Sequence, residues 1–246
     1  MLETILKHRT IRKYDKNKDV ESEKLNKILE AAFRAPTTGN MQVYSIIVSK
    51  DIEMKNKLLP IHFNQQMIVE APVILTFFAD FNRFNKWCNL RNAKPGYNNY
   101  ISFMTGAIDS LLAAQNACIA AEDLGLGTCY LGTTTYNADK LINLFNCPKD
   151  VVPITTLVIG YPLEIPDLTD RLPAEAIVHY ETYKDYSEED INRIYAEKEA
   201  LPQTKELVIQ NQLENLAQIF TNKRYTKKDN EFFSEKFMNI IKEQNF

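Results

Sequence analysis

The stretch of residues 101–124 constrains the fold more than any other. It is the longest run with helical spacing, and Met104, Ile108, Leu111, Leu112, Cys118 and Ile119 make one stripe along it. Ala107, Ala113, Ala114, Ala117, Ala120 and Ala121 spread small apolar residues around the rest. A helix that is apolar over most of its circumference belongs in a large core or against a partner subunit. Alanines let another helix approach closely, so the stretch predicts a dimer interface. Leu124-Gly125 closes it, because glycine readily takes the left-handed C-cap conformation.

Four further stretches read as strands: residues 44–48, 72–79, 125–132 and 152–160. The second, Pro-Val-Ile-Leu-Thr-Phe-Phe-Ala, is apolar enough to be covered on both faces. Helical spacing recurs at residues 2–7, 21–34, 51–60 and 137–145. Pro36 ends the second of these, since it drives the residue before it away from the helical region. Residues 82–100 carry Trp87, Arg91, Lys94 and several asparagines without sustained periodicity. They read as a loop or partly helical excursion of the kind that covers a site. Beyond residue 181 three charged helical stretches follow, at 188–198, 203–220 and 230–244, with too little apolar surface for a core of their own. Strands separated by helices predict an α/β or α+β sheet core.

Composition removes several function classes. With 246 residues the chain can bury a full core. A net charge of −3 argues against general nucleic-acid binding, which needs a basic face. Cys88, Cys118, Cys129 and Cys147 contain no C-x-x-C pair and, with three scattered histidines, form no zinc pattern. No apolar run approaches the roughly 18 residues of a membrane span, and the N-terminus lacks a secretory apolar run. A reduced, cytoplasmic protein is expected, with no nucleic-acid and no membrane partner.

The densest chemistry lies near the start. His8-Arg9-Thr10-Ile11-Arg12, followed by Lys13 and Tyr14, offers an imidazole, two guanidiniums, an ammonium and a hydroxyl within seven residues. Guanidiniums pair bidentately with phosphate and keep their charge, so an anionic ligand accounts for the cluster; a solvated basic turn is the competing reading. There is no G-x-S-x-G elbow, no H-E-x-x-H and no P-loop. Gly125-Leu126-Gly127 lacks the third glycine of a dinucleotide fingerprint and follows a helix rather than a strand.

Five blocks in register carry a resemblance. They are His8 through Tyr14; Arg34-Ala35-Pro36-Thr37-Thr38-Gly39-Asn40-Met41-Gln42; Ala79-Asp80-Phe81-Asn82-Arg83; Ala120-Ala121-Glu122-Asp123-Leu124-Gly125-Leu126-Gly127-Thr128 through Gly132; and Gly160-Tyr161-Pro162 to Arg171-Leu172-Pro173. From residue 1 to about 182 the chain resembles the nitroreductase superfamily of FMN-dependent oxidoreductases, and most its NADPH-dependent nitroreductase and flavin reductase branch. The resemblance implies an α+β fold: a mixed sheet flanked by helices, an extended helical C-terminal arm and a domain-intertwined homodimer. Residues 1–182 would form the FMN-binding core and 183–246 a helical extension packing on the core or the partner, within a single domain overall.

Carried over position by position, the resemblance implies that His8, Arg9 and Thr10 hold the FMN phosphate and nearby ribityl oxygens, with Arg171 closing it from the other side. Arg12 would lie near the ribityl chain and the N1/O2 edge, where a cation favours the anionic reduced flavin. Thr38, Gly39 and Asn40 would come from the second subunit to border the ring. Gln66 would bond the pyrimidine edge, and Tyr130, Leu131, Gly132 and Thr133 would pass the flavin with their backbone. Two positions depart from the family: Thr169 stands where a lysine is common, and Thr133 where a second glycine is.

The function implied is hydride transfer from NADPH or NADH to FMN and then to nitroaromatic, quinone or flavin acceptors, with ping-pong kinetics. Lys223, Arg224, Lys227 and Lys228 are the only dense candidate for the 2′-phosphate of NADPH. Other readings remain open: a different chemistry of the superfamily such as dehalogenation or enone reduction, an FMN carrier or sensor without turnover, and a helical partner-binding module.

Overall fold

Val73, Leu75 and Phe77 pack on one face of a four-stranded sheet and Ile74 on the other, the period-two alternation of a strand covered on both sides. The computed structural model describes residues 1–246. Contacts group them into two compact units, Met1–Leu168 with Glu235–Phe246, and Thr169–Ser234.

In the first unit α1 (Leu2–Leu6) and α2 (Ser22–Phe33) precede β1 (Tyr44–Ser49). Next come α3 (Ile52–Ile61), α4 (Met67–Glu70), β2 (Val73–Asp80), α5 (Asn82–Leu90) and the long α6 (Tyr100–Asp123). β3 (Gly127–Leu131), α7 (Thr133–Tyr136), α8 (Ala138–Leu144) and β4 (Val151–Gly160) follow. The strands stand in the order β1-β2-β4-β3 and pair antiparallel throughout. A mixed sheet was expected; the parallel element is a single bridge between Thr10 and Thr128. Pro153 sits in β4 beyond the reach of β3, next to a bulge at Phe77/Phe78, so its missing N–H costs no ladder bond to β3.

One face of the sheet carries α6 and α2. Ala113, Ala114, Ala117, Cys118 and Ala121 pack there with Leu75, Phe77, Leu157 and Ile159. The opposite face carries Leu58, Ile61, Met67, Ile68 and Leu141 against Ile74, Val158, Cys129 and Leu131. Fully burying a side chain such as Phe77 or Ile68 stabilises the fold by roughly 1.5–3 kcal/mol. The alanines of α6 thus bring it close to the sheet of its own chain. The bulky residues point the other way: Ile101, Met104, Ile108, Leu111 and Leu112 are exposed. Gly125, with φ +80°, ends α6 in a Schellman arrangement: the Leu126 N–H donates to the Ala121 carbonyl and the Gly125 N–H to that of Glu122.

Residues 82–100 form α5 and then an irregular stretch, in keeping with a partly helical excursion. In the second unit α9 (Glu188–Ala200) begins with a capping box between Ser187 and Asp190 and is followed by α10 (Pro202–Gln210) and α11 (Leu216–Ile219). Ile194, Leu216 and Ile219 are its buried apolar residues, and Lys198 pairs with Asp170 at 2.6 Å. α12 (Lys227–Glu243) starts in this unit, and its part from Glu235 onward belongs to the first. The division expected between residues 182 and 183 therefore differs from that of the contacts. The chain end returns to the sheet because Phe237, Ile241 and Phe246 pack with Phe103, Ala107 and Val152. No helix is long and apolar enough to cross a membrane.

Candidate functional site

The basic segment leaves α1 as extended chain and is fixed to β3. The Ile11 N–H donates to the Thr128 carbonyl at 2.8 Å, and the Tyr14 hydroxyl donates to the Ile11 carbonyl at 2.7 Å. Gly127 permits this approach: a Cβ there would lie 2.6 Å from Ile11 Cγ1. Burial pushes the Tyr14 phenol well above its ordinary range, so it stays a neutral donor.

The charges along this segment are treated differently. Lys7 pairs with Glu3 at 2.5 Å and Lys13 with Glu164 at 2.9 Å. Arg9 and Arg12, between them, pair with no carboxylate, and Arg9 Nε is buried without any partner. Arg9 lines a cleft of about 440 Å³ with Lys7, Ile11, Gly127, Pro162 and Ile165. Three acids also line it, all engaged: Glu3 by Lys7, Asp123 by Thr4 and the N-terminal ammonium, and Glu122 by His8 and Thr128. An unpaired guanidinium beside acids that are already engaged is suited to pairing with an anion such as a phosphate.

His8 is half-buried, and its Nδ1 lies 2.8 Å from Glu122 Oε1, which leaves Nε2 for a ligand. The same oxygen accepts the Thr128 hydroxyl at 2.5 Å, and the Cys118 thiol lies 3.7 Å away. Burial pushes the Cys118 thiol up to about 12, so at neutral pH it is a buried donor and no nucleophile. Burial raises Cys129 as well. Thr10 faces its bridge partner Thr128.

Tyr130 and Leu131 end β3, Gly132 makes the turn, and Thr133 opens α7. A Cβ added at Gly132 would meet nothing within 4 Å, so the space in front of this backbone is open. Thr133 is backed by His62, whose Nδ1 lies 2.8 Å from the threonine Oγ1. Burial lowers the His62 pKa to about 4, so the imidazole is neutral.

Thr38, Gly39 and Asn40 form an exposed single turn with Gly39 at φ +56°. Asp109, fully buried in the middle of α6, accepts the Thr38 N–H at 3.0 Å and the Val43 N–H at 3.4 Å. Gln66 is exposed and caps α4, its amide reaching the Asn64 carbonyl at 3.4 Å. Neither this turn, nor Gln66, nor residues 130–133 line the cleft of Arg9. Arg171 lies in the second unit, exposed, with its guanidinium on the Thr169 and Asp170 carbonyls. Lys223, Arg224, Lys227 and Lys228 are exposed in the same unit; Arg224 lies over the Phe220 ring at 5.8 Å, and Lys227 is 3.7 Å from Glu231.

Glu122, Asp109 and His62 were not singled out in the sequence as site residues. A lone aspartate inside an alanine-rich helix was the available signal for Asp109; for His62 there was none.

The family model described as the nitroreductase family matches residues 5–161. The chain belongs to the nitroreductase family. Among curated nitroreductase relatives, the FMN reductase [NAD(P)H] of Bacillus subtilis (strain 168) is 38% identical over 190 residues, 76% of each chain. The oxygen-insensitive NADPH nitroreductase of Salmonella typhimurium is 33% identical over 192 residues, 78% of each. Among solved structures, a Bacteroides fragilis NCTC 9343 protein is 54% identical with a TM-score of 0.97, over 99% of this chain and 98% of that one. The nitroreductase match spans β1 to β4 together with the segment from His8 to Arg12.

Proposed function

We propose that this protein is an NAD(P)H-dependent flavin oxidoreductase that binds FMN and passes electrons to nitroaromatic, quinone or free flavin acceptors. Relatives named as an FMN reductase and an NADPH nitroreductase support the class. The observation that carries the reading is the pair of guanidiniums, Arg9 and Arg12, left without carboxylates while the lysines on either side are paired.

The residues fit FMN. Arg9, Thr10 and, through an Nε2–H when its ring is protonated, His8 would hold its phosphate, and Arg12 would hold its ribityl side. The open backbone of Tyr130, Leu131, Gly132 and Thr133 would border the ring, with Gln66 at its pyrimidine edge. FMN supplies hydride acceptance and donation at N5, so no side-chain acid or base is obligatory. The neutral Tyr14 phenol and the high-pKa thiols of Cys118 and Cys129 fit this, since none is poised for proton or nucleophilic chemistry. Successive use of one cavity by donor and acceptor gives ping-pong kinetics. Lys223, Arg224, Lys227 and Lys228 would take the 2′-phosphate of NADPH. The exposed face of α5, with Trp87, is a wall from which acceptor choice follows.

The exposed stripe Ile101, Met104, Ile108, Leu111 and Leu112 supports a homodimer, in which Thr38, Gly39 and Asn40 of one copy serve the ring held by the other. The free thiols of all four cysteines fit the reducing cytoplasm.

An anaerobic titration of FMN-reconstituted protein with NADPH, followed at the visible flavin band, tests this reading. Stoichiometric bleaching reversed by a quinone or a nitroaromatic is expected. A bound flavin bleached by neither NADPH nor NADH would make the protein a carrier or sensor.

A further inference from the structure

His62 is the one fully buried imidazole of the chain, and nothing in the chemistry above uses it. It sits just past the end of α3, and only Nδ1 has a partner, the hydroxyl of Thr133 at 2.8 Å. Nε2 is buried with none. A neutral imidazole carries a single N–H, on one nitrogen or the other. A buried N–H without an acceptor is the rarer and costlier orphan; a bare lone pair is the milder one. The proton therefore resides on Nδ1, and Nδ1–H donates to Thr133 Oγ1.

This fixes the role of the threonine. With its oxygen occupied as an acceptor, the Thr133 hydroxyl keeps its own hydrogen, and no acceptor in the chain receives it. Thr133 adjoins Gly132, in front of which the space is open. We propose that His62 is a positioning residue that turns Thr133 into a hydrogen-bond donor toward a ring carbonyl of the flavin at the end of β3. The proposal rests on the FMN reading above. It gives a purpose to a threonine standing where a second glycine is expected, and it makes the donor independent of any charged side chain. A donor to a carbonyl that gains negative charge on reduction holds the reduced ring more tightly than the oxidised one.

Two measurements test it. Long-range ¹⁵N correlation spectra of the flavin-free protein, with His62→Leu used for assignment, read the tautomer directly. A protonated Nδ1 is expected, and a protonated Nε2 overturns the proposal. In the FMN-loaded protein, Thr133→Val keeps the side-chain volume and removes the hydroxyl. The preference for reduced over oxidised FMN is expected to fall about tenfold, which lowers the two-electron potential by about 30 mV. His62→Leu is expected to move the potential the same way, and the double variant to add nothing to Thr133→Val, because the two residues act as one unit. A potential unchanged or raised in Thr133→Val overturns the proposal, whether or not His62→Leu folds. If the wild-type protein retains no FMN, it is the FMN reading that fails, and the tautomer still decides the His62–Thr133 arrangement.

Discussion

Glu122 reaches from the last turn of α6 to His8, Oε1 lying 2.8 Å from Nδ1, and thereby ties the longest helix to the segment that carries Arg9 and Arg12. The same carboxylate oxygen takes the Thr128 hydroxyl, so one group orients both the imidazole and the strand beside it. In Glu122→Gln an amide NH₂ competes for the place of an acceptor that serves two donors. Leaving one of them unsatisfied costs about 1–3 kcal/mol. Urea unfolding at pH 7 should show that loss with an unchanged slope, and FMN should bind several-fold more weakly.

Arg9, on the phosphate, and Arg12, on the ribityl side, are expected to carry FMN affinity that their lysine neighbours do not. A hydrogen bond to a charged group contributes about 1.5–3 kcal/mol, so Arg9→Ala and Arg12→Ala should each weaken FMN by roughly ten- to a hundredfold. Lys13→Ala, whose ammonium is exposed and paired with Glu164, should leave the affinity within about twofold, since such surface pairs contribute about 0–1 kcal/mol. Flavin fluorescence quenching on titration of the flavin-free protein measures all three.

The outward face of α6 should govern assembly. Ile108 is 48% exposed, so Ile108→Asp leaves the packed alanine face untouched. Light scattering is expected to find the parent chain dimeric and the variant monomeric, with an unchanged far-ultraviolet spectrum. A dimer of undiminished stability would remove this face from the interface.

His62 gives stability a pH dependence whose sign follows from its burial. An exposed imidazole titrates near 6.5, and this one near 4. Between those values only the unfolded chain takes up the proton, so stability rises with pH across the window. Below it, roughly 3 kcal/mol has been lost relative to neutral pH. Chemical unfolding at pH 7, 5.5 and 4 should show this component in the parent chain. In His62→Asn the stability at pH 7 will be lower, and the component should be missing.

The four cations at 223, 224, 227 and 228 are expected to distinguish the two nicotinamide donors. Replacing Lys223, Arg224, Lys227 and Lys228 with glutamine should raise KM for NADPH about tenfold or more, the effect of losing one or two charge-assisted phosphate contacts. KM for NADH should change little. Equal changes for both donors would assign the cluster to solvent.

Much of the sheet was legible because its strands announce themselves. The apolar runs at 73–80 and 151–160 have no soluble alternative, and the glycines on either side of Gly127–Leu131 bound the short strand between them. The direction of α6 was not legible. Alanines and bulky apolar residues both satisfy a helical period, and which set faces the sheet depends on how closely the sheet lets the helix come. The alanines won that face because their small side chains bring the helix axis near Leu75 and Leu157. The basic segment was visible as a cluster, yet the difference between paired lysines and unpaired arginines depends on Glu164 and Glu3, and no local pattern links Lys13 to a residue so far along the chain. Asp109 and His62 escaped for the same reason: each acts on a segment far away in sequence, Thr38 in one case and Thr133 in the other.

The long helix also works as a gauge. Asp109 and Glu122 stand thirteen residues apart on it, which is about 20 Å along the axis. One end clamps the turn containing Thr38, and the other clamps His8. Inserting a single residue between these two marks turns one of them through about 100° relative to the other and advances it by about 1.5 Å. One clamp would then close on empty space. Length changes in this family member should therefore be tolerated in the exposed residues 91–94 and selected against between 109 and 122, although five of the twelve residues in that interval are alanines. What is held constant there is a count of residues, and their chemistry matters less.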